Sequence, residues 1–164
     1  MKVLKKLALA HLRPHVLSSV NFNRFQSAHR PGYSTETALL KVVNDIKHAA
    51  GEGNCSVLLA LDISAAFDAV DHSVLCKRAQ VKFGVNGTAL DWLQFFVTDR
   101  LQYIAVGDER SETANLSSGV PQGSILEPLL FALYVSPIDD VVCSHGIRYH
   151  LYADELDVIH CAGH

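Results

Sequence analysis

Neither a C-x-x-C pair nor finger-like spacing connects the four cysteines of this chain, Cys55, Cys76, Cys143 and Cys161. Zinc ligands recur at short fixed intervals that these cysteines do not show, so a reduced chain with ordinary packing cysteines is expected rather than a zinc site. The nine histidines are spread along the chain, and Cys143 and His145 make one close Cys/His approach. No apolar run reaches the roughly eighteen residues of a bilayer-spanning helix. The opening MKVLKKLALAHLRPH breaks its apolar face with Lys5, Lys6 and His11. No membrane anchor and no signal peptide are therefore expected, and the chain is placed inside the cell, in nucleus or cytoplasm. Repeats and low-complexity linkers are also missing. What remains is 164 residues, 49% of them hydrophobic, enough for one globular core and not clearly for two.

Charge is present in both signs but unevenly placed. Residues 1–48 carry eight Lys/Arg against two acids, and the remainder six against fifteen. A basic end beside an acidic remainder fits a protein that touches polyanions with one part and holds cations with another; a solvated basic helix fits equally. Along the chain, helices and strands alternate. An opening helix with Leu4, Leu7 and Leu12 on one face is expected to stop near Pro14. RPGYSTETALLKVVNDIKHAAGEG reads as a turn and a helix capped by Ser34 or Thr35, striped by Leu39, Val42, Val43 and Ile46, and ended by Gly51. CSVLLALDI is a continuous apolar run of the length of a buried strand. DHSVLCKRAQVKFG and GTALDWLQFFVTDR are helical by period, QYIAVGD and ETANL are strand candidates, and the polar loop SSGVPQGS leads into the apolar helix ILEPLLFALYV.

The stretch GIRYHLYADELDVIH, residues 146–160, holds two adjacent carboxylates, Asp154 and Glu155, between alternating apolar runs. This reads as strand, tight acidic turn, strand. Side-by-side carboxylates raise the cost of ionising each other. Either the turn is simply solvated, or a divalent cation offsets the repulsion, which requires a third acid. Asp62, at the end of the apolar run, is that acid, although a strand-end aspartate also serves as a helix cap. Hard oxygen ligands converging from a central strand and a neighbouring hairpin are what a pair of Mg²⁺ ions needs in order to clamp a triphosphate and a primer hydroxyl.

LLALDISAAFDAVDH, SSGVPQGSILEPLLFALYV and HLYADE resemble the A, B and C motifs of reverse transcriptases. FQSAHRPGYSTETALL is similar to the corresponding block of the LINE-type, non-LTR retrotransposon polymerases, the jockey-like and chicken-repeat-like group. The resemblance implies an α+β fold, a partial fingers-and-palm polymerase core with an antiparallel palm sheet packed on helices. Residues 1–54 would be a remnant of the fingers region, and 55–164 a palm with motifs A, B and C, incomplete at its C-terminus. It implies an RNA-directed DNA polymerase that works on an RNA template, a DNA primer and deoxynucleoside triphosphates with Mg²⁺ or Mn²⁺ as cofactor. Asp62, Asp154 and Glu155 would be its catalytic acids, and the same three side chains with the carbonyl of Ile63 its metal ligands. Phe67 would be the aromatic gate against a ribose 2′-OH, Gln122 would line the nucleotide pocket, Gly123 would allow close backbone approach, and Arg30 would meet the template backbone.

Three departures from the family pattern stand out. Glu155 occupies the second acid of a hairpin that normally reads Tyr-Ala-Asp-Asp. Glu127 stands where the family usually has glycine, at a tight passage from strand to helix. Leu156, Asp157 and Val158 replace the usual polar residue and Leu. The family's upstream Arg-Pro-Ile-Ser-like block has no match before the opening helix, and the chain stops at His164, so both ends read as cut. An inactive retroelement-derived fragment that at most binds nucleic acid is the alternative from a different class. An RNA-dependent RNA polymerase is a third reading, and Phe67 argues against it. Oligomeric state is not readable from these residues.

Overall fold

The structure is a computed structural model that describes residues 2–28 and 30–162. Its elements run α1 (Lys2–Ser18), α2 (Thr35–Gly51), β1 (Cys55–Asp62), α3 (His72–Phe83), α4 (Thr88–Val97), β2 (Arg100–Gln102), β3 (Ala105–Val106), β4 (Glu109–Arg110), β5 (Ala114–Leu116), α5 (Glu127–Val135), α6 (Ile138–Ser144), β6 (Arg148–Tyr152) and β7 (Glu155–Ala162). They form two compact units, one of residues 1–19 and 67–134, the other of 20–66 and 135–164. Among the described residues no helix is long and apolar enough to cross a membrane. Cys76 and Cys143 are free thiols; the side chain of Cys161 lies outside the described residues.

The second unit is built on a three-stranded antiparallel sheet in the order β1-β7-β6. One face of β6 and β7 carries Tyr149, Leu151 and Leu156, and Phe25, Ile138, Val142 and Val158 pack against them. Tyr149 donates its hydroxyl to Asp139 Oδ1 at 2.9 Å, and its ring meets Phe25 edge-on at 5.0 Å. Burial, and then that carboxylate, push the phenol far above its ordinary range, so it stays neutral and remains a donor. Helix α2 contacts all three strands. Ser34 caps it in a reciprocal box with Thr37, as its sequence predicts. Its inner face is Ala38, Val42 and Ala49; Leu39 is not on it and stands 65% exposed.

Two expectations for β1 fail. It lies at the rim of the sheet, with β7 in the centre, and it is exposed along most of its length: Val57 by 63%, Leu59 by 52% and Leu61 by 43%. An apolar run reports what a strand is made of. What lies over it is decided elsewhere in the chain.

The first unit packs α1, α3, α4 and α5 around Val16, Leu75, Ala79, Leu93, Val97, Leu126 and Leu130, all buried. Helix α1 does not stop at Pro14 and runs to Ser18. Past the proline, Val16 is buried and His15 Nε2 lies 2.6 Å from the carbonyl of Phe83, so tertiary contacts on the last turn outweigh the lost backbone bond. Helix α3 is capped by Asp71, whose carboxylate accepts from Val74 N–H, and it ends at Gly84 in the left-handed region. QYIAVGD is not one strand: β2 pairs with β5, while β3 pairs with the unforeseen β4 across a turn at Gly107. Helix α5 starts at Glu127, two residues later than its apolar run, and the polypeptide enters it from turns, with no strand before it. Glu127 is thus a first-turn acid, which suits the positive end of the helix dipole.

Candidate metal and nucleotide site

Asp62 is the last residue of β1, and its ladder partner is Glu155, the first residue of β7. Directly paired residues of an antiparallel ladder point to the same face, so two like charges sit opposite each other, which by itself destabilises the pair. Beyond them Ile63 N–H donates to the carbonyl of Asp154 at 3.1 Å, bringing the third acid to the same end of the sheet. The acid pair is not itself the hairpin tip. Tyr152 pairs with Glu155, which leaves Ala153 and Asp154 as the two-residue turn. The Ile63 carbonyl accepts from Ala66 N–H at 3.1 Å, which leaves it a second lone pair.

The three carboxylates are hard oxygen donors, which fits a hard divalent cation. Among the described residues no group of three or more His, Cys, Asp or Glu is gathered closely enough to hold a metal alone.

Phe67, Gln122 and Gly123 belong to the other unit, where residues 67–71 lie alongside 118–120. Val120 N–H donates to the Phe67 carbonyl at 2.9 Å, Gly119 N–H to the Val70 carbonyl at 2.8 Å, and Asp71 bridges Ser118. His72 Nε2 is 2.7 Å from the Gly119 carbonyl. The Phe67 ring is half-buried and tilts against Phe131 at 4.8 Å. Gln122 Nε2 donates to both carboxylate oxygens of Asp68, at 3.1 and 3.3 Å. Asp68, Gly119, Val120 and Gln122 line an open cleft of about 580 Å³ together with Arg100 and Gln102. The glycine closest to neighbouring backbone is not Gly123: a Cβ there would meet nothing within 4 Å, and its φ of +68° is the reason for glycine. At Gly119, with φ of +89°, a Cβ would lie 3.3 Å from the Asp68 carbonyl oxygen.

Arg30, in the sheet-bearing unit, uses Nη1 within its own loop, donating to the carbonyls of Arg24 and Gln26 at 3.3 Å each. Its guanidinium also lies over the rings of Tyr33 and Phe22, at 4.8 and 5.5 Å. Two residues of consequence escaped the sequence reading. Asp68 adjoins Phe67 in the same motif, so its acid was there to be noticed. Gln26 lies in the FQSAHRPGYSTETALL block, but its partner stands 127 positions away, so the block by itself does not name its role.

Residues 1–163 match the family described as "Reverse transcriptase (RNA-dependent DNA polymerase)". The RNA-directed DNA polymerase of the Drosophila melanogaster mobile element jockey is 27% identical over 96% of this chain, a match that covers 18% of the relative's length. A probable RNA-directed DNA polymerase from the X-element transposon of the same organism is 33% identical over 81% of the chain, with 15% of the relative covered. The chain thus spans less than a fifth of the length of these relatives. In fold it is similar to the apo telomerase of Candida tropicalis truncated from its C-terminal domain, with a TM-score of 0.62 and 13% identity over 95% of this chain and 32% of that one. Ordered A, B and C motifs, an acid pair closing an antiparallel ladder and a match along nearly the whole length converge on one statement: the chain belongs to the reverse transcriptase family, in its LINE-type, non-LTR branch.

Proposed function

We propose that this chain is the nucleotidyl-transfer core of an RNA-directed DNA polymerase, adding deoxynucleotides to a DNA primer on an RNA template. The observation that carries this reading is the Asp62–Glu155 ladder pair with Asp154 beside it, like charges that a cation would reconcile. In this reading Asp62, Asp154, Glu155 and the Ile63 carbonyl hold Mg²⁺ or Mn²⁺. When bound, the cation lowers the charge cost of joining a primer 3′-oxygen to an α-phosphorus with departure of pyrophosphate. The protein side chains do the rest. Phe67 excludes a 2′-hydroxyl, Gln122 contacts the incoming nucleotide with its amide oriented by Asp68, and Gly123 supplies the turn that carries the PQG segment. Arg30 orders its loop and meets the template backbone with the donors its loop leaves over.

Titration with Mn²⁺, followed by melting temperature, tests the acid site directly. Binding to the folded chain raises the melting temperature by mass action. Asp62→Asn and Asp154→Asn are expected to remove most of that rise. An identical rise in the native chain and both variants would reduce the acids to a solvated turn and sink the reading.

A further inference from the structure

Asp154 shares its turn with Ala153, whose φ of +56° is the left-handed region that an L-side chain enters only at a conformational cost. A two-residue turn with a non-glycine residue in that conformation needs support from outside the hairpin. Gln26 provides it. Its Oε1 accepts from Ala153 N–H at 3.2 Å, and its Nε2 donates to the Ala153 carbonyl at 3.1 Å, so one side-chain amide takes hold of both polar groups of one backbone residue. The same Oε1 accepts from Ala28 N–H at 3.1 Å. Gln26 is 1% exposed, so these bonds have no competing water, and any group left over would be costly.

Gln26 is itself anchored. Phe25–Ser27 lie along the outer edge of β6 in a parallel bridge to Leu151, with Leu151 N–H donating to the Phe25 carbonyl and Ser27 N–H to the Leu151 carbonyl, each at 3.0 Å. Gln26 N–H donates to the Asn23 carbonyl at 3.2 Å, and the Gln26 carbonyl accepts from Arg30. The support therefore runs from the Arg30 loop through Gln26 to the turn that presents the acid. Other side chains fail on chemistry: glutamate lacks the donor and would set a carboxylate against the Ala153 carbonyl, methionine has neither function, and asparagine is a methylene too short.

We propose that Gln26 is a positioning residue for Asp154, holding the Ala153 turn so that the carboxylate is presented in one place for the cation. The role of Asp154 is taken from the proposed function; the clamp stands on its own geometry. The test compares the native chain with Gln26→Met and Gln26→Glu by amide exchange at Ala153 and by Mn²⁺ titration. Exchange at Ala153 is expected to quicken by at least about tenfold while the β1–β7 ladder keeps its protection. Mn²⁺ affinity is expected to fall by about tenfold, as it does when residues that orient a metal ligand are lost. Adding Ala153→Gly, which removes the conformational cost, should restore part of the affinity. If Gln26→Met does not fold, Gln26→Glu, which keeps the acceptor, carries the comparison. Unchanged exchange at Ala153 overturns the clamp, as does loss of protection across the whole sheet at once, the mark of a merely structural residue. Selective loss at Ala153 with unchanged Mn²⁺ affinity overturns the positioning role. A native chain that binds no Mn²⁺ overturns the metal reading instead, and the clamp is then upheld or refuted by exchange alone.

Discussion

The three acids and the residues proposed to meet the nucleotide are held by different means. Asp62 and Glu155 are fixed by a strand ladder, with Asp154 in a turn gripped by a buried amide. Phe67 and Gln122 are fixed by a few backbone bonds between two loop segments and by one exposed carboxylate–amide pair. The motif that begins at Asp62 passes from one compact unit to the other between Ala66 and Phe67. A motif is thus a unit of chemistry and need not be a unit of folding. The ladder tolerates side-chain exchange, because its bonds are backbone bonds, whereas the loop pair depends on what backbone closeness permits.

This contrast is broken or sharpened by substitution. The largest effect is expected at Gly119, where alanine combines a left-handed φ with a Cβ at 3.3 Å from the Asp68 carbonyl. Denaturant unfolding of Gly119→Ala should show a loss of about 1–3 kcal/mol, against a smaller loss for Gly123→Ala, which meets open space. Equal losses would mean that the loop pair is not a close approach. On the ladder side, Asp62→Asn in chelator should stabilise the fold by up to about 1 kcal/mol, since it removes a like charge opposite Glu155. Added Mn²⁺ should reverse the ranking. Glu155→Asp, which shortens one ligand, should strengthen the Mn²⁺ response by less than about tenfold, and a weaker response would show that the longer side chain is the better fit.

The smallest effect vanishes at neutral pH. His150 is 5% exposed, and among the described residues nothing bonds its Nδ1. Burial lowers its pKa below the ordinary 6.5; Asp157 on β7 and Asp45 on α2 pull it up, and Lys41 on α2 pushes it down. The unfolded chain takes up a proton near 6.5 that the folded chain refuses, so stability falls as pH drops below that value. Unfolding at pH 7.5 and 5.5 should show this slope in the native chain and a shallower one in His150→Gln.

What was legible in the sequence was mostly local. Ser34 caps α2 as one of the two residues its spacing offers, and the run DHSVLCKRAQVKFG, helical by period, folds as α3 between Asp71 and Gly84. The acids were legible because Asp62 closes a strand and Asp154 lies in a hairpin turn. The exposure of β1, the passage of α1 through Pro14 and the grip of Gln26 on Ala153 depend on partners dozens of residues away, which no local pattern names. The strand QYIAVGD failed for another reason: Gly107 allowed a turn inside it.

The sheet also has unlike sides. Residues 25–27 run along the β6 side, whereas β1 forms the rim with Val57, Leu58, Leu59 and Leu61 exposed. A rim segment rich in leucine, without proline, is the kind of edge that recruits further strands, and natural chains guard such segments with a charged gatekeeper. In CSVLLALD the sole charge is Asp62. The residue proposed to bind the cation is therefore also the guard against self-association, and a cation that neutralises it removes the guard. If Asp62 holds the proposed cation, metal loading and colloidal stability would pull this chain in opposite directions.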